Sequence, residues 1–230
     1  MAKKNQNDEP IFVDLGEEYT KMEQFVNENR QTLTYGLGGL AVLILAVLGY
    51  QSFVVGPAET AAEQDVWRAE NYFEMDSLDL AARGDGYDPG LEEVLNNHSG
   101  TSAAGRASYE LGLVYRDEGR FEEAIEAFKS ADVSDDVIGA LVEGNIGDCL
   151  VEMGSYNEAI GHFEKAASIG ASGLAEDVLA PMFLYKSGVV KMETGDRSGA
   201  RRDFDRIVND YPESQQFNSA RGMAASLANS

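Results

Sequence analysis

Cysteine is almost absent: Cys149 is the only one in 230 residues. No intramolecular disulfide and no thiol metal cluster can therefore form within the chain. The neighbours of Cys149 put it on the apolar face of a helix, where a thiol is a small inert core group rather than a nucleophile. One cysteine fits either redox compartment. Histidine is nearly as scarce. His98 and His162 are the only two, and neither has metal-ligand neighbours at suitable spacing. Basic residues are also few, with 18 Lys and Arg against 40 Asp and Glu, a net charge of −22. Residues 1–30 hold four basic and seven acidic residues, and residues 59–230 hold 14 and 33. A surface that negative repels phosphate backbones and anionic headgroups, which argues against nucleic-acid binding and against lying flat on a membrane. It confers solubility and, as a sharper reading, favours basic protein partners.

Charge of either sign is missing altogether between Arg30 and Glu59. Inside that gap Leu33–Val55 is a 23-residue apolar run, long enough to cross a hydrocarbon layer of about 30 Å as a helix. Tyr35 lies near one end, Tyr50 and Phe53 near the other, where amphipathic rings favour the interface. Pro57 marks an expected helix end. The run starts too late and is too long for a signal-peptide core, and no lipobox-type cysteine follows it. Lys3, Lys4, Lys21 and Arg30 precede the span, and the first basic residue after it is Arg68. The positive-inside rule then predicts a cytoplasmic N-terminus and a long C-terminal part on the far side. Before the span, Asp14 and Glu17 have capping-box spacing, and Tyr19, Met22, Phe25 and Val26 recur at helical spacing. A short amphipathic helix is expected there.

Beyond the span the chain repeats itself. Leu111-Gly112, Tyr115, Gly119, Phe121, Ala124, Phe128 and Ala131 form one series. Ile146-Gly147, Leu150, Gly154, Tyr156, Ala159, Phe163 and Ala166 form a second. Gly188, Gly195, Ala200, Phe204 and Ile207 form a third, followed by Tyr211-Pro212. Gly112 and Gly147 are 35 residues apart, and Gly147 and Gly188 are 41 apart. The extra stretch is placed at Ser168–Ala180. In each series the first glycine is expected where two helices touch, answered by the alanine of the second helix. The aromatic residue would fill the wedge between neighbouring hairpins, and the second glycine would sit in the turn, where positive φ favours it. Such hairpins cannot bury an apolar face alone and must stack.

These three segments resemble tetratricopeptide repeats (TPR), whose period is about 34 residues. The first shows the G-x-x-Y … A-x-x-x-F-x-x-A pattern, the second has Leu150 for the tyrosine, and the third has Ser187 and Lys191 at positions usually apolar. The expected fold is all-α: a single transmembrane helix, then a TPR α-solenoid of about three to four hairpins with a C-terminal capping helix. The expected boundaries are a tail at 1–32, the span at 33–55, a degenerate first repeat at 58–104, repeats at 105–139, 140–180 and 181–213, and a cap at 214–230. Within 58–104, Ala62, Val66, Ala69 and Phe73 have helical spacing, a short helix runs to Arg83, Gly84–Gly90 is a loop, and Gly90–His98 is a second helix. Ser214 is expected to cap a helix over Gln215–Leu227.

No catalytic, metal or cofactor constellation stands out, so neither an enzyme nor a cofactor is expected. Asp85 and Asp88 lack the alternation of a calcium loop. The remaining candidate is the face built from the first helix of each hairpin. By resemblance to other TPR arrays its lining includes Arg106, Tyr109, Leu113, Arg116, Leu141, Asp148, Met182, Tyr185, Val189 and Met192. Tyrosine and methionine there suit adaptable contacts with peptides or helices. Only Asn145 and Lys186 match the groups with which some TPR domains clamp a C-terminal carboxylate, so that mode is not expected.

The whole plan, with Glu23-Gln24-Phe25 and Asn29 before the span, resembles the bacterial ancillary SecYEG translocon subunit family. That resemblance implies an inner-membrane protein with a periplasmic TPR domain, acting as a scaffold or chaperone-like adaptor for exported proteins. The alternatives are a structural protein of envelope assembly or division and a regulator that positions a catalytic partner.

Overall fold

The computed structural model describes residues 15–131 and 134–228, with side chains from Met22 onward. Lys3, Lys4 and the Asp14 cap lie outside the described residues, as do the side chains of Glu17, Tyr19 and Lys21. The chain divides after Val55 into two units.

The first unit holds α1 (Leu15–Glu28) and α2 (Arg30–Tyr50), followed by a π-helical turn at Gln51–Val55. Asn29 separates the helices, its side-chain amide donating to the Phe25 carbonyl at 2.9 Å. In α2 no residue is buried. From Leu37 to Leu48 its leucines, valines and isoleucine are exposed all round, and no described residue of this unit buries them. The helix is long and apolar enough to cross a membrane. The stop expected at Pro57 takes another form: helix type changes at Gln51–Val55, and Pro57 falls in the first turn of the next helix. A missing N–H is tolerated there.

The second unit is helical throughout among its described residues. It contains α3 (Gly56–Glu74), α4 (Leu78–Arg83), α5 (Leu91–Asn97), α6 (Ser102–Asp117), α7 (Phe121–Ser130) and α8 (Asp136–Glu152). It continues through α9 (Tyr156–Gly170), α10 (Glu176–Glu193), α11 (Arg197–Asp210) and α12 (Phe217–Ala228). Pairs α6/α7, α8/α9 and α10/α11 are hairpins, and each packs on the next. Three of these helices start on local caps: Thr101 accepts from Ala104 N–H at α6, Asp135 from Val137 and Ile138 at α8, and Asp196 from Gly199 at α11. Their turns are set by Gly119, Gly154 and Gly195, at φ of 75°, 76° and 84°. At the first two the following N–H reaches back five residues, Arg120 to the Tyr115 carbonyl and Ser155 to the Leu150 carbonyl, each at 2.8 Å.

The intrahairpin contact differs from expectation. A Cβ on Gly112 would meet the Phe128 ring at 2.6 Å, one on Gly147 the Phe163 ring at 2.7 Å, and one on Gly188 the Phe204 ring at 2.8 Å. The aromatic residue, not the alanine, therefore lies nearest each glycine. The ring also faces the next hairpin, as expected: Lys186 of α10 lies 5.7 Å from the Phe163 ring, and Phe128 shares a buried cluster with residues of α8. Between hairpins the same device recurs once, with Gly144 of α8 against the Phe183 ring of α10.

Two buried clusters result. One joins α3, α4, α5 and α6 through Val66, Leu91, Val94 and Val114; the other runs from Ala124 in α7 to Leu227 in α12. The degenerate first repeat is thus a packed unit, with Ala62, Val66 and Ala69 fully buried. Its loop is closed by backbone, because a Cβ on Gly90 would run into the Ala82 carbonyl. Asp85 Oδ1 accepts from the N–H groups of Tyr87 and Asp88 at 2.9 and 2.8 Å, and Asp88 pairs with Arg68 at 3.0 Å. Those bonds hold the Asp85 carboxyl down at about 2.

Three boundaries shift. The Ser168–Ala180 insertion is mostly helix: α9 extends to Gly170 and α10 begins at Glu176, which leaves Pro181 inside α10. Ser214 does not cap; its hydroxyl donates to the Tyr211 carbonyl at 2.8 Å, and the last helix starts at Phe217. The third repeat keeps its register despite its polar residues. Ser187 and Lys191 are buried and both bond Asp203 of α11 at 2.7 Å, and Lys191 also bonds Glu164 of α9 at 2.7 Å. Burial lowers the Lys191 pKa, but the two carboxylates outweigh it and the net shift is upward.

Two pairs of substitutions test this packing by chemical denaturation. Gly147→Val should destabilise by about 2–3 kcal/mol by displacing Phe163, whereas Gly161→Ala, with open space around its Cβ, should stabilise by about 0.5–1 kcal/mol. Asp203→Ala should cost about 3 kcal/mol by stripping a buried ammonium of its buried partner. Replacing Ser187, Lys191 and Asp203 together by Ala, Met and Leu should recover most of that loss.

Candidate protein-binding face

The first helices α3, α6, α8 and α10 are neighbours in sequence of repeats, and their interfaces carry the candidate residues. Tyr109, Leu113, Leu141, Met182, Tyr185, Val189 and Met192 are half-buried, each with its apolar body packed on the core. Tyr109 tilts against Phe128 at a ring separation of 5.9 Å, and Tyr185 against Phe204 at 5.6 Å. The aromatic ring seated on the hairpin glycine thus also supports the tyrosine beside it. Burial pushes the Tyr109 phenol upward, partly offset by a hydrogen bond with Asn145.

The polar candidates tie successive first helices together. Arg106 of α6 bonds Glu63 at 2.8 Å and Glu70 at 3.3 Å, both on α3. Arg116 of α6 donates to Asn145 of α8, whose amide donates to Leu141 O at 2.8 Å. Asp148 of α8 meets Lys186 of α10 at 2.7 Å, and that ammonium also lies 5.7 Å from the Phe163 ring and 5.9 Å from the Phe183 ring. Each junction therefore has one charged or polar tie with an apolar patch beside it. Asn145 and Lys186, the two groups suited to a carboxylate clamp, are both engaged in these ties.

One residue on this face was not legible in sequence. Glu110 of α6 has a buried Oε2 with no hydrogen-bond partner. Burial pushes its carboxyl up to about 7, the Glu70 and Glu74 charges add to this, and Arg106 opposes it. Its acidic neighbours lie on α3, so only the fold brings them together. His98 and His162 likewise find carboxylates from other helices, Asp65 at 2.6 Å and Glu143 at 2.8 Å. Among the described residues no group of three or more His, Cys, Asp or Glu could hold a metal ion. Cys149 is fully buried, and burial pushes its thiol up to about 11, which suits a core side chain.

Stacked helical hairpins with glycine at each crossing, glycine in each turn and an aromatic residue between define a tetratricopeptide-repeat protein. Tetratricopeptide-repeat family models match residues 91–136, 144–169 and 183–214. The first match begins at α5, inside the degenerate repeat. A tetratricopeptide repeat protein from Parabacteroides merdae superposes with a TM-score of 0.59 at 15% identity, over 74% of this chain and 61% of its own. This chain thus spans about three-fifths of that protein's length. Two structures of MamA superpose with TM-scores of 0.53 and 0.51, each at 18% identity, over 76% and 70% of this chain and 88% of theirs. At these identities the likeness shows the fold. Comparison with curated proteins gives no match. Tetratricopeptide folds are typically non-catalytic scaffolds for protein interaction, and the repeats here provide such a framework.

The Glu110 site predicts a pH dependence. A carboxyl held above its ordinary value of 4.5 binds its proton more tightly in the folded state, so folding stability falls as pH rises from there to about 7. Denaturation midpoints of the full chain should show that fall, and Glu110→Gln should flatten it and raise stability at neutral pH.

Proposed function

We propose that this protein is a membrane-anchored scaffold whose tetratricopeptide array binds proteins beside a bilayer. The observation that carries the reading is the juxtaposition in one chain of an apolar helix with no buried residue and a stack of repeats of the protein-binding kind. An uncovered apolar helix in water costs about 25 cal/mol for every Å² it exposes, and a bilayer removes that cost. Lys21 and Arg30 ahead of the span and the absence of basic residues until Arg68 favour a cytoplasmic N-terminus. In a bacterial inner membrane the array then lies in the periplasm. The resemblance in plan to the ancillary SecYEG translocon subunits supports a chaperone-like role for newly exported proteins near the translocon. The half-buried tyrosines and methionines of the first helices supply adaptable contacts for such clients, and the interhelix ties keep that face rigid.

A proximity-labelling enzyme fused to the C-terminus in the native membrane tests side and neighbours together. The expected result is labelling of translocon subunits and of exported proteins, all on the periplasmic side. Labelling confined to cytoplasmic proteins would contradict the orientation, and periplasmic labelling without translocon components would contradict the site of action.

A further inference from the structure

The three hairpins can be placed in register on Gly112, Gly147 and Gly188, and the comparison exposes one groove that differs from the others. Each groove has a first helix as its floor and the second helices on either side as its walls. Over α10, the walls α9 and α11 are bridged by a buried lysine: Lys191 bonds Glu164 on one side and Asp203 on the other. The position equivalent to Ser108 in that floor is Leu184, which is buried. Over α8, the same position is Glu143, whose carboxylate is held by Lys165 at 2.6 Å and His162 at 2.8 Å. Both grooves are therefore filled by their own side chains.

The groove over α6, between α5 and α7, is not filled. Where the second hairpin has the Glu143–Lys165 pair, this one has Ser108 and Ser130. Where the third has Lys191 and Asp203, this one has Tyr115 and Ala127. What remains are two adjoining clefts of about 500 and 550 Å³ that share Leu95, Asn96 and Ser130. Their floor runs along α6 from Ala104 to Tyr115, about 16 Å at 1.5 Å per residue. The Tyr115 hydroxyl donates to Glu92 at 3.0 Å, as Lys191 does to Glu164.

The wall of this groove is also distinct in charge. Glu122, Glu123 and Glu126 of α7 line it, with Glu92 opposite on α5. The equivalent positions are Asn157, Glu158 and Gly161 in α9, and Ser198, Gly199 and Arg202 in α11. Arg120 bonds both Glu118 and Glu123 and lies 3.9 Å from the centre of the Tyr115 ring, whereas Lys129 pairs with Glu126 through an exposed i,i+3 contact, which is weak and easily exchanged. The groove thus has a floor of small and apolar residues, carboxylates on both walls, and neither lysine: Tyr115 stands at the register of Lys191 and Ser130 at that of Lys165.

We propose that the α5–α7 groove, on the side away from the first-helix face, docks a short segment of a protein partner that carries Lys or Arg among apolar residues. The partner's cation meets Glu92, Glu122 and Glu126 above Tyr115, and its apolar side chains lie along the lining of Leu95, Leu111 and Ala127. This deepens the scaffold reading above and rests on it, by adding a second surface and the chemistry of the partner it takes.

The test uses the full chain in lipid nanodiscs and a fluorescent ten-residue peptide of alternating Lys and Leu, with Glu/Leu and Ser/Leu peptides as controls. The Lys/Leu peptide should bind one to one, more weakly as salt rises, while the controls do not bind. Glu122→Gln with Glu126→Gln, and separately Ser108→Leu, should each weaken it about tenfold or more, with helical content unchanged. Glu152→Gln with Glu158→Gln, which removes as much charge elsewhere, should leave binding within about twofold. Equal losses from both double variants would overturn the proposal by showing attraction to the acidic surface at large. So would full binding by Ser108→Leu. If the groove variants bind normally while Tyr185→Ala loses partners in proximity labelling, this inference falls and the scaffold reading stands.

Discussion

The structure depends on one repeated contact, an aromatic ring laid on a glycine of the facing helix. Phe128 on Gly112, Phe163 on Gly147 and Phe204 on Gly188 bring the two helices of each hairpin to a distance that any Cβ would prevent. The ring's other edge then supports Tyr109 or Tyr185, so one contact sets both the hairpin and the face it presents. Gly144 against Phe183 carries the same approach from the second hairpin to the third. Because each hairpin buries its apolar surface against its neighbours, stability in such an array is a property of the row rather than of any single repeat.

Polar groups do a different job. Arg106 with Glu63, Arg116 with Asn145 and Asp148 with Lys186 each join adjacent first helices. Such partly exposed pairs add little stability, but they fix the spacing at which a bound protein meets the face. The buried Ser187–Asp203–Lys191 set is of another kind. It occupies core positions where apolar residues would serve packing as well, and with Glu164 of α9 it bridges three helices, which ties the last hairpin to one register.

Much of this was legible in the sequence because it is periodic. The turn glycines, the crossing glycines and the aromatic residues recur at fixed spacing, and the buried positions Ala62, Val66 and Ala69 follow the helical period even in the degenerate repeat. What was not legible depends on distance along the chain. The burial of Glu110 beside Glu70 and Glu74 needs α3 and α6 side by side. Lys191 reads as a misfit in its own helix and makes sense only with Asp203 and Glu164 in place. The open groove over α6 was written in the register, since Ser108 stands where Glu143 and Leu184 stand. Only the contacts of those two residues show what the serine leaves vacant.

Two demands meet in this chain: an apolar helix that water does not tolerate, and an acidic array that a bilayer does not attract. In the scaffold proposed above, their combination would hold a protein-binding surface near a membrane without laying it on the headgroups. Hydrogen exchange of the full chain in lipid nanodiscs tests that claim most directly. The account predicts strong protection of the Arg30–Tyr50 amides by lipid, together with slow exchange across the α6–α11 hairpins. Rapid exchange over Arg30–Tyr50 with lipid present would contradict it.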